Sequence, residues 1–232
     1  MPPELARLIS GGWMNVIRVG AVLWVLALQN LIVEIVAAGA WRTPYSFGEH
    51  AISDLGNTAC APFEGRDVCS PLHAAFNASQ VAFGVLIIAG AALTARWWPR
   101  GKTRTAGLIL LGLAGAGAIG AALVPENVDL PTHNLFALVA FAGQNIGLLV
   151  LAAALWRVRR GAAVFTLLCG AVGLVATAML VSGSYAGLGF GGIERVAANP
   201  FVLWLLVTGV LILVTARRGA DAAPRLTGAA AS

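Results

Sequence analysis

Residues 96–132 read RWWPRGKTRTAGLILLGLAGAGAIGAALVPENVDLPT. Four positive charges, Arg96, Arg100, Lys102 and Arg104, come first. An uncharged apolar run from Thr105 to Val124 follows, and then the acidic turn Pro125–Thr132. At 1.5 Å per helical residue, roughly twenty such residues match a bilayer's hydrocarbon thickness of about 30 Å. Basic before and acidic after is the polarity of a transmembrane helix, because Lys and Arg are retained on the cytoplasmic side.

The same rule orders the rest of the chain. Apolar segments cover about Val19–Ala40, His73–Ala95, Thr105–Val124, His133–Trp156, Ala162–Tyr185 and Pro200–Ala216, with a polar stretch Trp41–Leu72 and a glycine-rich loop Ala186–Asn199 between them. Of the fifteen basic residues, all but Arg42, Arg66 and Arg195 fall at alternate segment ends: Arg7 and Arg18, the 96–104 loop, Arg157, Arg159 and Arg160, and Arg217, Arg218 and Arg225. Glu49, Asp54, Glu64, Asp67, Glu126, Asp129 and Glu194, together with all three histidines, fall at the opposite ends. The expected fold is all-α. It is an integral membrane bundle of six transmembrane helices in the cell membrane, with both termini cytoplasmic. Residues 1–18 form a cytoplasmic or interfacial segment, 19–216 the helical domain, whose first span is a start-transfer anchor, and 217–232 a disordered cytoplasmic tail.

Composition agrees. With 59% hydrophobic and 11% charged residues, the chain cannot cover a water-facing surface. The net charge of +5 is therefore a topology signal and not a nucleic-acid footprint. Cys60 and Cys69 share the long outer loop and are expected to form a disulfide, which an oxidising compartment favours; Cys169 reads as a small core residue. Gly115-Ala-Gly117-Ala-Ile-Gly120 matches a dinucleotide fingerprint by letter, but it has neither the strand before it nor the acid after it. Small residues inside a span instead allow close helix packing. Lys102, the single lysine, lies in a cytoplasmic loop, which excludes a retinal Schiff base within the bundle.

Chemistry concentrates in Tyr45-Ser-Phe-Gly-Glu49-His50-Ala-Ile-Ser53-Asp54-Leu-Gly-Asn57. In a helical turn, His50 and Asp54 share one face and Glu49 and Ser53 the adjacent one. A carboxylate beside an imidazole orients its tautomer or joins it at a metal. His73 with Asn77, and Asp129 with His133, repeat the four-residue spacing at two further outer helix ends, with Glu126 beside the second. Gln29, Asn30 and Glu34 in the first span, Gln144 and Asn145 in the fourth, and Ser182, Ser184 and Tyr185 closing the fifth are expected to face an interior or wet cavity, since polar groups in lipid are costly. Glu34 is expected to be protonated or to reach the outer interface.

These residues describe a polar pocket open to the outer side. One reading is a binder of a lipid headgroup or small polar molecule, acting as a carrier, sensor or accessory subunit. A second is a hydrolase of outer-leaflet lipid, in which His50, His73 and His133 hold a divalent metal such as zinc, with Asp54 or Asp129 beside it. A third is a structural subunit of an envelope complex, where the same residues cap helices and pin loops. The bilayer is the one partner the composition requires.

The run His50-x-Ile52-Ser53-Asp54-Leu55-Gly56, the Ser70-Pro71 and Asn77 of the second span, and Pro125, Glu126 and His133 resemble an uncharacterised family of bacterial multi-pass membrane proteins, domain-of-unknown-function family 998. The likeness runs from about Trp24 to Ala216. It implies the membrane fold and brings no activity with it. More distantly, the chain resembles six-helix families of autophagy modulators and lipid regulators. Ser46-x3-His50 with Asp54 is similar to part of the transmembrane hydrolase pattern that includes alkaline ceramidases. That pattern also carries a late H-x3-H pair, and no histidine follows His133 here.

Overall fold

The structure, a computed structural model, describes residues 3–42 and 44–222, with side chains for 12–42 and 44–216. Its helices are α1 (Pro3–Leu26), α2 (Gln29–Gly39), α3 (His73–Thr94), α4 (Lys102–Leu123), α5 (Leu130–Leu155), α6 (Arg160–Val181) and α7 (Gly189–Ala222). Six spans are long and apolar enough to cross a membrane: Gly12–Gly39, His73–Trp97, Lys102–Leu123, Leu130–Leu155, Arg160–Val181 and Gly189–Ala216. The protein is a multi-pass membrane protein. Leu135, Leu123 and Val181 are among the large apolar side chains on its outer surface, which needs lipid around it.

The helices form a closed ring. α1 packs on α3, α3 on α4, α4 on α5, α5 on α6, α6 on α7, and α7 returns to α1. Short turns force each neighbour to run antiparallel to the last. One end of the ring carries the 40–72 loop and the 124–129 turn; the other carries the basic loops, where Arg18 donates to the Ala216 carbonyl at 3.0 Å. Near the basic end Trp98 stacks on Trp204 while Trp24 packs edge-on or tilted against both, and each indole N–H finds an oxygen: Trp24 on Ile87, Trp98 on Thr94 and Trp204 on Thr166. That aromatic plug floors the ring.

Glycines set the spacing of the walls. A side chain at Gly115 would meet the Gly84 carbonyl at 2.6 Å, and one at Gly143 would meet the Leu110 carbonyl at 2.9 Å. The glycine run of α4 is thus a packing seam between α3 and α5, as small residues in membrane helices commonly are.

Two features depart from expectation. Residues 186–199 were expected to form a loop, yet α7 begins at Gly189 and runs through Pro200. Glycine and proline are common in membrane helices, where neighbours satisfy the backbone groups they free. Here Gln144 and Asn145 both donate to the Ala197 carbonyl near the proline break. The second departure is a hairpin in the outer loop: β1 (Ala61–Phe63) pairs with β2 (Arg66–Val68). Glu64 and Gly65 both take positive φ, 47° and 76°, as a two-residue hairpin turn requires. α7 also continues to Ala222, so residues 217–222 of the expected tail are helical; the rest of that tail lies outside the described residues.

Cys60 and Cys69 form the expected disulfide, one register step beyond the Ala61–Val68 pair at the hairpin's open end. Closing a loop of about ten residues contributes about 2–3 kcal/mol. Cys60→Ser with Cys69→Ser is therefore expected to raise hydrogen exchange in residues 61–68 while leaving α4 and α5 protected. Equal exchange in both forms would show that the hairpin holds without the bond.

Candidate functional site

The loop folds over the mouth of the ring because its backbone is tied down at many points. Ser53–Gly56 makes a tight 3-10 turn. Ser70 donates to the Leu55 carbonyl at 2.7 Å and Asn77 to the Gly56 carbonyl at 2.9 Å. Gly192 at the start of α7 donates to the Gly48 carbonyl at 2.9 Å. The loop is a lid built from hydrogen bonds.

Two buried ion pairs anchor it. Asp54 is fully buried and accepts both Nε and Nη2 of Arg66, at 2.8 and 3.0 Å, and the Ala51 amide at 2.7 Å. Arg195 projects from α7 and gives its Nε to Glu34 at 2.8 Å. Its Nη1 donates to the carbonyls of Phe47, His50 and Gly191, and its Nη2 to the Tyr45 hydroxyl at 2.6 Å. Glu34 is neither neutral by necessity nor at the interface: a guanidinium from the far end of the sequence meets it inside the bundle. Burial, partly offset by Arg195, holds the Tyr45 phenol protonated well above its ordinary range.

Beneath the lid lies a narrow cavity of about 90 Å³. Asn30, Gln80, His133, Gln144 and Glu194 are among the polar side chains on a wall otherwise made by alanines, Phe76, Phe83 and Ile87. A second cleft opens sideways along α5 and α6, past Glu126, Leu138, Val181 and Tyr185. Ser53, His133, Ala137, Phe141 and Glu194 line both spaces, so the cavity and the cleft meet there.

Glu126 stands at the junction. Its Oε2 accepts the Ser53 hydroxyl at 2.8 Å, and its buried Oε1 has no donor among the described residues. Burial, then the hydrogen bond and negative charge of Asp54, push this carboxyl up to about 8, with Ser53 opposing and Glu194 adding to the rise. It therefore carries a proton at neutral pH, in contact with Asp54, whose two oxygens accept from Arg66. His133 has two carbonyls, Ala121 and Val124, at 3.1 and 2.8 Å from Nδ1. Two acceptors there require a proton on Nδ1, so that in the neutral imidazole Nε2 is the acceptor.

Not every candidate residue joins this group. His50 and Asp54 do not share a face: the chain is not helical between them, and His50 Nδ1 accepts the Ser46 amide at 3.0 Å while its ring packs between Trp41 and Tyr45. His73 Nδ1 meets its own Ser70 carbonyl at 2.9 Å. Asp129 is an exposed N-cap of α5, held below its usual range by the Thr132 hydroxyl and amide. Glu49 is exposed at the rim of the side cleft. Gln144 and Asn145 brace α7, and Asn77 holds the lid. Among the described residues, no three His, Cys, Asp or Glu side chains come together as a metal-binding group. The zinc set His50, His73 and His133 does not come together: each ring is held by a different local backbone partner on Nδ1, and the three do not converge on one point. The metal-dependent hydrolase built on that set loses its ligands.

Glu194 and Arg195 were assigned to an outer loop and Arg66 to no role; all three are central. The signal was present in the charge pattern, since Arg66 and Arg195 are two of the three cations that break the positive-inside order. A cation on the wrong side needs a local anion, and both have one.

No curated protein and no solved structure matches the chain. The match to a family model covers residues 18–211, from the first span through most of the last. The chain thus belongs to the family described as Protein of unknown function (DUF998).

Proposed function

We propose that this protein binds a membrane amphiphile, with the ligand's polar end under the disulfide-bonded lid and its chain reaching the bilayer between α5 and α6. The observation that carries this is the junction of a cavity bearing a few polar side chains on an apolar wall with a side cleft whose outer wall, Leu138 and Val181, is 45% and 70% exposed on the lipid-facing surface. A ligand drawn from the bilayer needs that lateral route; a soluble one needs only a mouth to water. Sorting of basic loops to the opposite end supports an extracytoplasmic site in the cell membrane. Binding of this kind is common to a carrier, a sensor and an accessory subunit.

Native mass spectrometry of the detergent-purified protein tests it. The wild type should retain an amphiphile adduct. Ala137→Trp, which fills the junction, should lose that adduct, while Leu135→Trp on the outer surface (61% exposed) should keep it at equal thermal stability. Identical adducts in all three proteins would overturn the reading.

A further inference from the structure

Five carboxyl groups, Glu34, Glu49, Glu64, Glu126 and Glu194, line the cavity and the side cleft, against a single guanidinium, Arg66. That cation is already spent. Its Nε and Nη2 hold Asp54, and its Nη1 lies 3.4 Å from the Glu64 carbonyl. Arg195, behind the wall, likewise donates from every nitrogen to protein oxygens. A phosphate or carboxylate entering here would find no free cation and would have to lose its water in a negative field.

What the junction offers is acceptors. Glu126 is 5% exposed, and its Oε1 has no donor among the described residues. With Nδ1 donating to two carbonyls, a neutral His133 presents the lone pair of Nε2. Glu194 accepts only the Ile52 amide, at 2.5 Å, through one of its two oxygens. Once the Glu126 proton leaves, Oε1 is a buried acceptor without a donor, which is costly, and a ligand that donates relieves the cost.

Resting on the cavity being a binding site, we propose that its ligand carries an organic cation of the amine class, and that the ammonium group takes the place of the Glu126 proton. The exchange balances in atoms and charge: an ammonium ion enters, the carboxyl proton leaves through the cleft to water, and a carboxylate–ammonium pair remains. Glu126 is faced by Asp54 and, through it, Arg66 from the lid, by Glu194 from α7 and by His133 from α5, with the Ser53 hydroxyl on its other oxygen. Asp54 and Glu194 make the field at this point anionic. It raises the affinity for a proton and for an ammonium alike, so the two compete for one place.

Full-length protein in nanodiscs of neutral phosphatidylcholine, titrated against empty nanodiscs, tests the exchange. The probes are dodecylamine, dodecyl phosphate, dodecanol and soluble 1,4-diaminobutane. A primary amine, like that of lysine, stays charged up to about pH 10, so the probe does not titrate in the working window. Wild type should bind dodecylamine at least tenfold more tightly than dodecyl phosphate or dodecanol. Displacement of one proton makes that affinity rise about tenfold per pH unit up to about pH 8 and level off above it. Glu126→Gln keeps the shape and can donate to Asp54 as the protonated acid does; it should bind weakly and lose the slope contributed by Glu126. A slope unchanged in Glu126→Gln, or dodecyl phosphate bound as tightly as the amine, overturns the proposal. Dodecanol binding as tightly as the amine would remove the cation and leave the amphiphile reading intact. Diaminobutane binding with no dodecylamine binding would keep the cation and remove the amphiphile. No probe bound by wild type removes both.

Discussion

Replacing Arg195 with alanine is expected to cost about 3–5 kcal/mol, the range for removing one partner of a buried ion pair. The loss is concentrated in one side chain. Arg195 is 9% exposed and Glu34 3% exposed, so the orphaned carboxylate would be poorly solvated. Arg195→Ala also removes the hydrogen bonds that tie the Phe47 and His50 carbonyls and the Tyr45 hydroxyl to α7, so the lid loses this anchor as well. Lysine should not rescue it: an ammonium has one nitrogen, whereas the lid is held by three nitrogens of a planar fork. SDS-titrated unfolding in mixed micelles, followed by tryptophan fluorescence, measures the effect. Glu34→Gln should return part of the stability when added to Arg195→Met, because the pair then leaves no buried charge behind. If the double variant is no more stable than Arg195→Met alone, the charge is not what makes the single change costly.

The contrast between Arg195 and the spans shows what a sequence carries on its face. Span number is one-dimensional information: apolar length and charge sign, read along the chain, give six crossings without knowing what touches what. The disulfide was legible for the same reason, since Cys60 and Cys69 are close in sequence and share a loop. Pairing is different. Glu34 and Arg195 stand 161 residues apart, and nothing in either one's neighbourhood names the other. Glycines 187, 189, 191 and 192 concealed the start of α7, because in water they would argue for a loop, while in lipid the helix is the cheaper way to satisfy the backbone. The four-residue spacings misled in the opposite direction. His50 and Asp54 meet that spacing in sequence, yet the intervening backbone turns and sends them to different partners. His133 was found correctly, though its capacity to accept rests on two carbonyls at the end of α4 that no local pattern announces.

Paired alanine substitutions in α4, at Gly112 and Gly117, should move stability in opposite directions. An isolated helix gains about 0.5–1 kcal/mol when glycine becomes alanine, through reduced backbone entropy in the unfolded chain. Gly112 should show that gain, because nothing lies within 4 Å of the position a Cβ would take. Gly117 should show a loss of about 1–3 kcal/mol, the range for over-packing. The atoms a Cβ meets there are backbone: the Ala140 nitrogen at 2.6 Å, the Phe136 carbonyl at 2.7 Å and the Ala140 Cα at 3.0 Å. A side chain can rotate away from such a clash, but a helix backbone cannot, so α4 and α5 must separate along their whole seam. The separation should reach the site. Phe136 and Ala140 lie on the same helix as His133 and Ala137, and the carbonyls that fix the His133 tautomer belong to Ala121 and Val124, at and just beyond the end of α4. Gly117→Ala should therefore weaken ligand retention as well as lower the unfolding midpoint, and Gly112→Ala should raise the midpoint and leave retention unchanged. A matched gain at both positions would mean that the glycine run in α4 is not a packing seam, and the ring would need another account of how its walls stay close enough to enclose a cavity.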